Sequence, residues 1–230
     1  MVTVPATRRF GRRTPPLGGS LAYLLLNLPL GILTFTLIIT LASAGAGTLV
    51  VWVGVPLLGL LVLFARAAGR VERGRLYALL DVYIDSPYLP LPPSGQKSRW
   101  TTRLKDSATW RDLAYLFLLF PLGVVEFVLV VVAWSVSLGL VALPIYYRFL
   151  PDGVYAFPSY DVRWFTVDST VTALPWAALG VLLAAVAVAL TKGLASLHAG
   201  FAGALLRPTV AQRRRMERSW NEIDGITVAG

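Results

Sequence analysis

From Thr14 through Ala65 the chain carries no Asp, Glu, Lys, Arg or His, and from Leu113 through Tyr147 it carries only Glu126. Uncharged apolar stretches longer than about 18 residues read as membrane spans. A water-soluble chain of 230 residues could not hide so much apolar surface. Composition agrees: 56% of the residues are hydrophobic and 14% charged, where soluble domains average roughly 25% charged. The expected fold class is an all-α integral membrane protein with four transmembrane helices.

The first uncharged block is too long for one helix, and its small-residue run Ala42-Ser43-Ala44-Gly45-Ala46-Gly47 is the natural turn. The expected organisation is a basic N-terminus over 1–20, a four-helix membrane domain over 21–206 and a tail over 207–230. Within the domain the spans fall at 21–43, 48–67, 113–143 and 171–192, with loops at 68–112 and 148–170. Arg8 to Arg13 ahead of an apolar run resembles a signal peptide, but that run is too long for its apolar region.

Charge sets the expected orientation. Four Arg precede the first span, nine Lys or Arg lie from Arg66 to Arg111, and five follow the fourth span, which makes 18 of 21 basic residues. The positive-inside rule then places both termini and the 68–112 loop in the cytoplasm, and the 148–170 loop outside. The net charge of +9 therefore concerns anionic lipid rather than nucleic acid. The expected location is the plasma (inner) membrane.

Residues 21–35 and 113–127 match at a constant offset of 92, with nine of fifteen identical. The shared Tyr23/Tyr115, Pro29/Pro121 and Gly31/Gly123 weigh more than the Leu matches. Each half reads as a helical hairpin beginning in the cytoplasm, so the hairpins are expected to be parallel repeats, each first helix kinked at its Pro.

Two stretches carry a family resemblance. Leu21-Ala22-Tyr23 with Pro29-Leu30-Gly31 is one. The run from Asp106 to Asp112, continuing through Leu113-Ala114-Tyr115 into Phe120-Pro121-Leu122-Gly123, is the more specific. Together they resemble the actinobacterial "Putative sensor" domain, a four-helix N-terminal membrane region of histidine kinases, over roughly residues 18–206. The resemblance implies a sensing role. Only 24 residues follow Leu206, without a phospho-acceptor helix or an ATP-binding domain, so a kinase-less, stand-alone protein is expected.

Few side chains offer chemistry. Glu126 is the one acid inside a span, and such residues usually face an interior or a partner. It reads either as a proton-sensitive, polar-ligand or partner-pairing site or as a protonated acid bonded to a neighbouring helix. Lys192 should snorkel to the headgroups, and His198 should sit on a half-buried helix face. Trp100, Leu104 and Trp110 interleave with Arg99, Arg103 and Lys105, which suits an interfacial helix or one that docks a soluble partner. In the 148–170 loop Tyr155, Phe157, Tyr160, Trp164 and Phe165 form an expected binding surface for a partner or lipid.

The chain has no Cys, and it carries no Walker A loop, zinc-protease or nucleophile-elbow motif. No metal, no cofactor and no enzymatic activity are expected. The expected function is an accessory or regulatory subunit of a larger inner-membrane complex, such as an ABC-type lipid or small-molecule transporter. The alternative is a stand-alone sensor signalling to a separate kinase. The expected partners are the bilayer and membrane proteins of one of those two kinds.

Overall fold

The computed structural model describes residues 15–88, 95–150, 153–158, 161, 163–215, 217 and 218. Four long helices dominate: α1 (Leu17–Gly47), α2 (Gly54–Leu80), α4 (Ser107–Tyr146) and α5 (Thr170–Leu206). A short helix, α3 (Gln96–Lys105), precedes α4, and two strands, β1 (Tyr155–Pro158) and β2 (Arg163–Val167), lie between α4 and α5. All four long helices are long and apolar enough to cross a membrane. α1, α4 and α5 run beyond the expected spans at both ends. α2 instead begins six residues later than expected and extends to Leu80, because the small-residue run at 42–47 stays helical and the chain turns over 48–53.

The outer surface matches that reading. Leu33, Val125, Val132, Val181, Leu182 and Val186 are all more than half exposed, an arrangement that suits hydrocarbon and not water. The inward faces add small and polar residues to buried Leu24, Ile38 and Leu206. Along α5 they are Ala173, Gly180, Ala187, Thr191, Ala195, His198 and Ala202, and along α1 Ser20, Tyr23, Asn27, Gly31 and Thr34. Between membrane helices, association rests on close backbone approach and polar contacts.

The start of α1 meets the end of α2, where Gly19 lies on the Leu79 carbonyl, and the end of α1 meets the start of α2, where Gly45 lies on Leu58. The α4–α5 pair behaves alike, with Gly180 on Leu140 and Val141 and with Trp134 Nε1 donating to Thr191 Oγ1 at 3.1 Å. Between α1 and α4 the contact is reciprocal. A Cβ on Gly31 would come within 2.8 Å of Phe120 Cα, and one on Gly123 within 2.8 Å of the Asn27 carbonyl oxygen. The two glycines are related by the same offset of 92 that links the matched sequences. Both helices continue through their prolines, Pro29 and Pro121.

The fold is not wholly helical. In the 148–170 loop the alternating Trp164-Phe165-Thr166-Val167 pairs antiparallel with Tyr155-Ala156-Phe157, with Tyr155 opposite Val167 and Phe157 opposite Phe165. Aromatic and β-branched residues favour such a pleated surface. Ser169 then caps α5 in a capping box with Thr172.

The reciprocal crossing gives a test. Gly123→Leu should cost about 1–3 kcal/mol through overpacking and lower the unfolding temperature in detergent. Gly139→Leu, which has nothing within 4 Å, should leave that temperature unchanged. Equal responses would show that the crossing is not close-packed.

Candidate functional site

Glu126 and His198 meet in the bundle interior. His198 Nδ1 lies 2.6 Å from Glu126 Oε1, and the other carboxylate oxygen accepts from Asn27 Nδ2 at 2.8 Å. On its far side, His198 Nε2 lies 2.9 Å from the Tyr115 hydroxyl. Tyr115 and Tyr23 both reach Glu72 Oε1, at 2.9 and 2.5 Å. Arg75 closes the network, donating from Nη1 to Glu72 Oε2 at 2.5 Å and from Nη2 to Asn27 Oδ1 at 3.0 Å. Tyr23 and Asn27 belong to α1, Glu72 and Arg75 to α2, Tyr115 and Glu126 to α4, and His198 to α5. One connected set of hydrogen bonds therefore touches every long helix.

Local geometry explains the convergence. Tyr23 and Asn27 are four residues apart and so share a helix face, as do Glu72 and Arg75 at a spacing of three. The two tyrosines, 92 residues apart, have their hydroxyls 3.3 Å from each other. His198 has a fully buried side chain, and the Glu126 side chain is 8% exposed.

Proton counting shows what this arrangement can do. A neutral imidazole carries one N–H, a protonated one two. With both nitrogens protonated, His198 donates to Glu126 and to the Tyr115 oxygen, and Tyr115 donates to Glu72. Two cations, Arg75 and His198, then balance Glu72 and Glu126. With Nε2 deprotonated, that nitrogen accepts the Tyr115 proton, and Glu72 keeps only Tyr23 and Arg75. A single proton thus redirects the hydrogen bond that joins α5 to α2 through α4.

A second polar layer flanks the first. Asp106 caps α4 through the Ala108 N–H and pairs with Arg66 at 3.1 Å, and Arg66 also donates to Thr109 Oγ1 at 2.9 Å. Arg73 pairs with Asp112 at 2.6 Å and donates to the Leu206 carbonyl. Tyr88 donates to Asp112 while its ring lies under the guanidinium of Arg66, 4.0 Å from the centroid. Burial, with the neighbouring Asp112 carboxylate, pushes the Tyr88 phenol up to about 12, so it remains a donor. Arg111 donates to the Ala204 and Arg207 carbonyls at the end of α5, where a helix favours cations.

At the strand end of the bundle lies an aromatic cavity of about 490 Å³. Its walls include Tyr146, Tyr155, Phe157, Phe165 and Trp176. Phe165 and Trp176 pack edge to face at 5.2 Å. Strand alternation puts Tyr155, Phe157, Phe165 and Val167 on one face and Trp164 on the other; Trp164 is 68% exposed and does not line the cavity.

The model of the family described as "Putative sensor" matches residues 23–206. The chain belongs to this family. No curated protein and no solved structure matches it. The matched region contains every member of the polar network and the whole β-hairpin.

The expected site residues are distributed as follows. Glu126 is a network member, bonded to His198 and Asn27. Tyr155, Phe157 and Phe165 gather at the cavity, Trp164 stands outside it, and Tyr160 lies outside the described residues. Trp100 and Arg103 stack on α3, with the guanidinium 5.2 Å from the ring centroid. Trp110 is 54% exposed on α4 and donates to the Leu104 carbonyl. Lys192 is half-buried on α5. His198 departs from expectation: it is buried rather than at a half-buried face, because Glu126 and Tyr115 occupy both its nitrogens. Sequence reasoning missed Tyr23, Asn27, Glu72, Arg75 and Tyr115. The available signal was the repeated Tyr at 23 and 115 together with Asn27, all within otherwise apolar spans.

Removing one partner of a buried pair strands the other. His198→Ala should therefore destabilise the protein by about 3–5 kcal/mol, read as a lowered unfolding temperature in detergent. His198→Ala combined with Glu126→Leu should recover much of that loss. No recovery in the double variant would show that the two residues are not coupled.

Proposed function

We propose that this protein is a non-catalytic membrane regulator that receives a stimulus at its aromatic cavity and passes it on through the buried polar network. The observation that carries this reading is that one hydrogen-bonded cluster joins all four long helices. Displacing any one of them alters hydrogen bonds to at least two of the others. The family's sensing character supports the same reading.

The output of such a regulator is a change in helix packing, and it needs a protein to read it. We propose a partner in the plasma membrane, with this chain as a regulatory subunit of a larger complex such as an ABC-type lipid or small-molecule transporter. A separate kinase is the second reading, favoured by the family description. In either case the basic stretches from Arg66 to Arg111 and after Lys192 face the cytoplasm, as the positive-inside rule requires, and the β-hairpin faces outward.

Gentle extraction of the tagged native protein, followed by identification of what co-purifies, separates the two partners. Transporter subunits support the first and a kinase the second; recovery of the protein alone counts against both. Phe157→Ala with Phe165→Ala should abolish the response to stimulus or the association with the partner, without lowering membrane insertion. Glu126→Gln should leave insertion intact and change the output. If assembly and output are both unaltered in Glu126→Gln, the network carries no signal.

A further inference from the structure

A second cavity, of about 950 Å³, opens between α2 and the α3–α4 corner. Leu58, Leu60, Leu61 and Val62 of α2 form one wall, and Trp100, Leu104, Trp110 and Leu113 line the other. It reaches the outer surface, since Leu60 is 51% exposed and Trp110 54%. Trp100 closes one end against Gly59, where an added Cβ would meet the ring at 3.2 Å.

The polar groups near this groove are already engaged. The Thr109 hydroxyl accepts from Arg66 and donates to the Arg103 carbonyl, and the Trp110 indole N–H donates to the Leu104 carbonyl. What remains for an occupant is hydrocarbon contact. The helix that forms the rim is different. α3 has the sequence Gln-Lys-Ser-Arg-Trp-Thr-Thr-Arg-Leu-Lys, with four cations and no acid. Arg103 lies over the groove-lining Trp100, and Lys97 and Lys105 are exposed on the same helix. The neighbouring acid, Asp106, is buried and paired with Arg66.

We propose that this groove is a binding site for an anionic phospholipid, with an acyl chain along α2 and the phosphate-bearing head against α3. A hydrocarbon slot beside a cationic helix discriminates by head-group charge, which an ordinary lipid-facing surface does not. The same helix leads directly into the Asp106 cap of α4, so an occupied groove would hold α3 against α2 and fix where α4 begins.

The test uses the purified protein in a nonionic detergent, titrated with phosphatidylglycerol or phosphatidylcholine carrying brominated acyl chains, with tryptophan fluorescence as readout. Phosphatidylglycerol should quench saturably, with a half-point roughly ten-fold below that of phosphatidylcholine at low salt. The quenching should be lost in Trp100→Phe/Trp110→Phe, which places it at the groove. Lys97→Gln/Arg103→Gln/Lys105→Gln removes the Arg103–Trp100 stacking but no ion pair among the described residues, and should raise the phosphatidylglycerol half-point to that of phosphatidylcholine. Equal half-points for the two lipids, quenching that survives removal of both tryptophans, or a half-point unmoved in the charge variant would each overturn the proposal.

Discussion

An ionisable side chain taken out of water loses several kcal/mol of solvation in its charged form even after its surroundings relax, and this bundle gathers four ionisable groups at one point in its interior. Glu72, Arg75, Glu126 and His198 come from three helices, and Tyr23 and Asn27 of the fourth complete their bonds. The cost is offset only when every partner is in place, and the partners converge only when α1, α2, α4 and α5 are all assembled. Such a network adds little net stability compared with apolar packing, but it penalises other registers heavily. That requirement also accounts for the small residues of the seams. Gly31, Gly123 and the Ala positions of α5 bring backbones close enough for these side chains to meet.

The second polar layer follows the same constraint along one helix. Asp106, Thr109, Asp112 and Tyr115 recur every three residues, so they trace a slowly winding line on α4. Their partners on α2 are Arg66, Arg66 again, Arg73 and Glu72. The run that carries the family resemblance is therefore a single docking line between α4 and α2. Arg73 and Arg111 extend it to the carbonyls at the end of α5. Tyr88, from the chain between α2 and α3, fills the space beside Arg66 and Asp112.

How much of this was legible in the sequence depended on the length scale. The long helices follow from uncharged runs, because hydropathy over some twenty residues is a sum that no single neighbour can reverse. Glu126 stood out as an acid among apolar residues. Its partner did not, because His198 lies 72 positions away and no local pattern encodes which turn of α5 will face α4. Glu72 and Arg75 were hidden among other charges in a stretch that reads as solvated. The β-hairpin looks like an aromatic loop in the sequence, although Trp164-Phe165-Thr166-Val167 has strand chemistry. Its pairing with Tyr155-Ala156-Phe157 is a contact between segments, and alternation then decides that Trp164 leaves the cavity its neighbours line.

The position of His198 bears on how a stimulus could travel. Its two nitrogens are committed to different residues of α4, Nδ1 to Glu126 and Nε2 to Tyr115, which are eleven positions apart along that helix. The ring can keep both bonds only at one setting of α5 along α4. A displacement of α5 at its cavity end, where Trp176 packs on Phe165, would strain one bond before the other. Loss of the Tyr115 bond frees that hydroxyl to serve Glu72 alone, whereas loss of the Glu126 bond leaves that carboxylate with Asn27. The first outcome leaves Tyr115 linking α4 to α2, and the second leaves Glu126 linking α4 to α1. A sliding motion at one end would thus become a choice between helix pairs, made by hydrogen-bond geometry within the bundle.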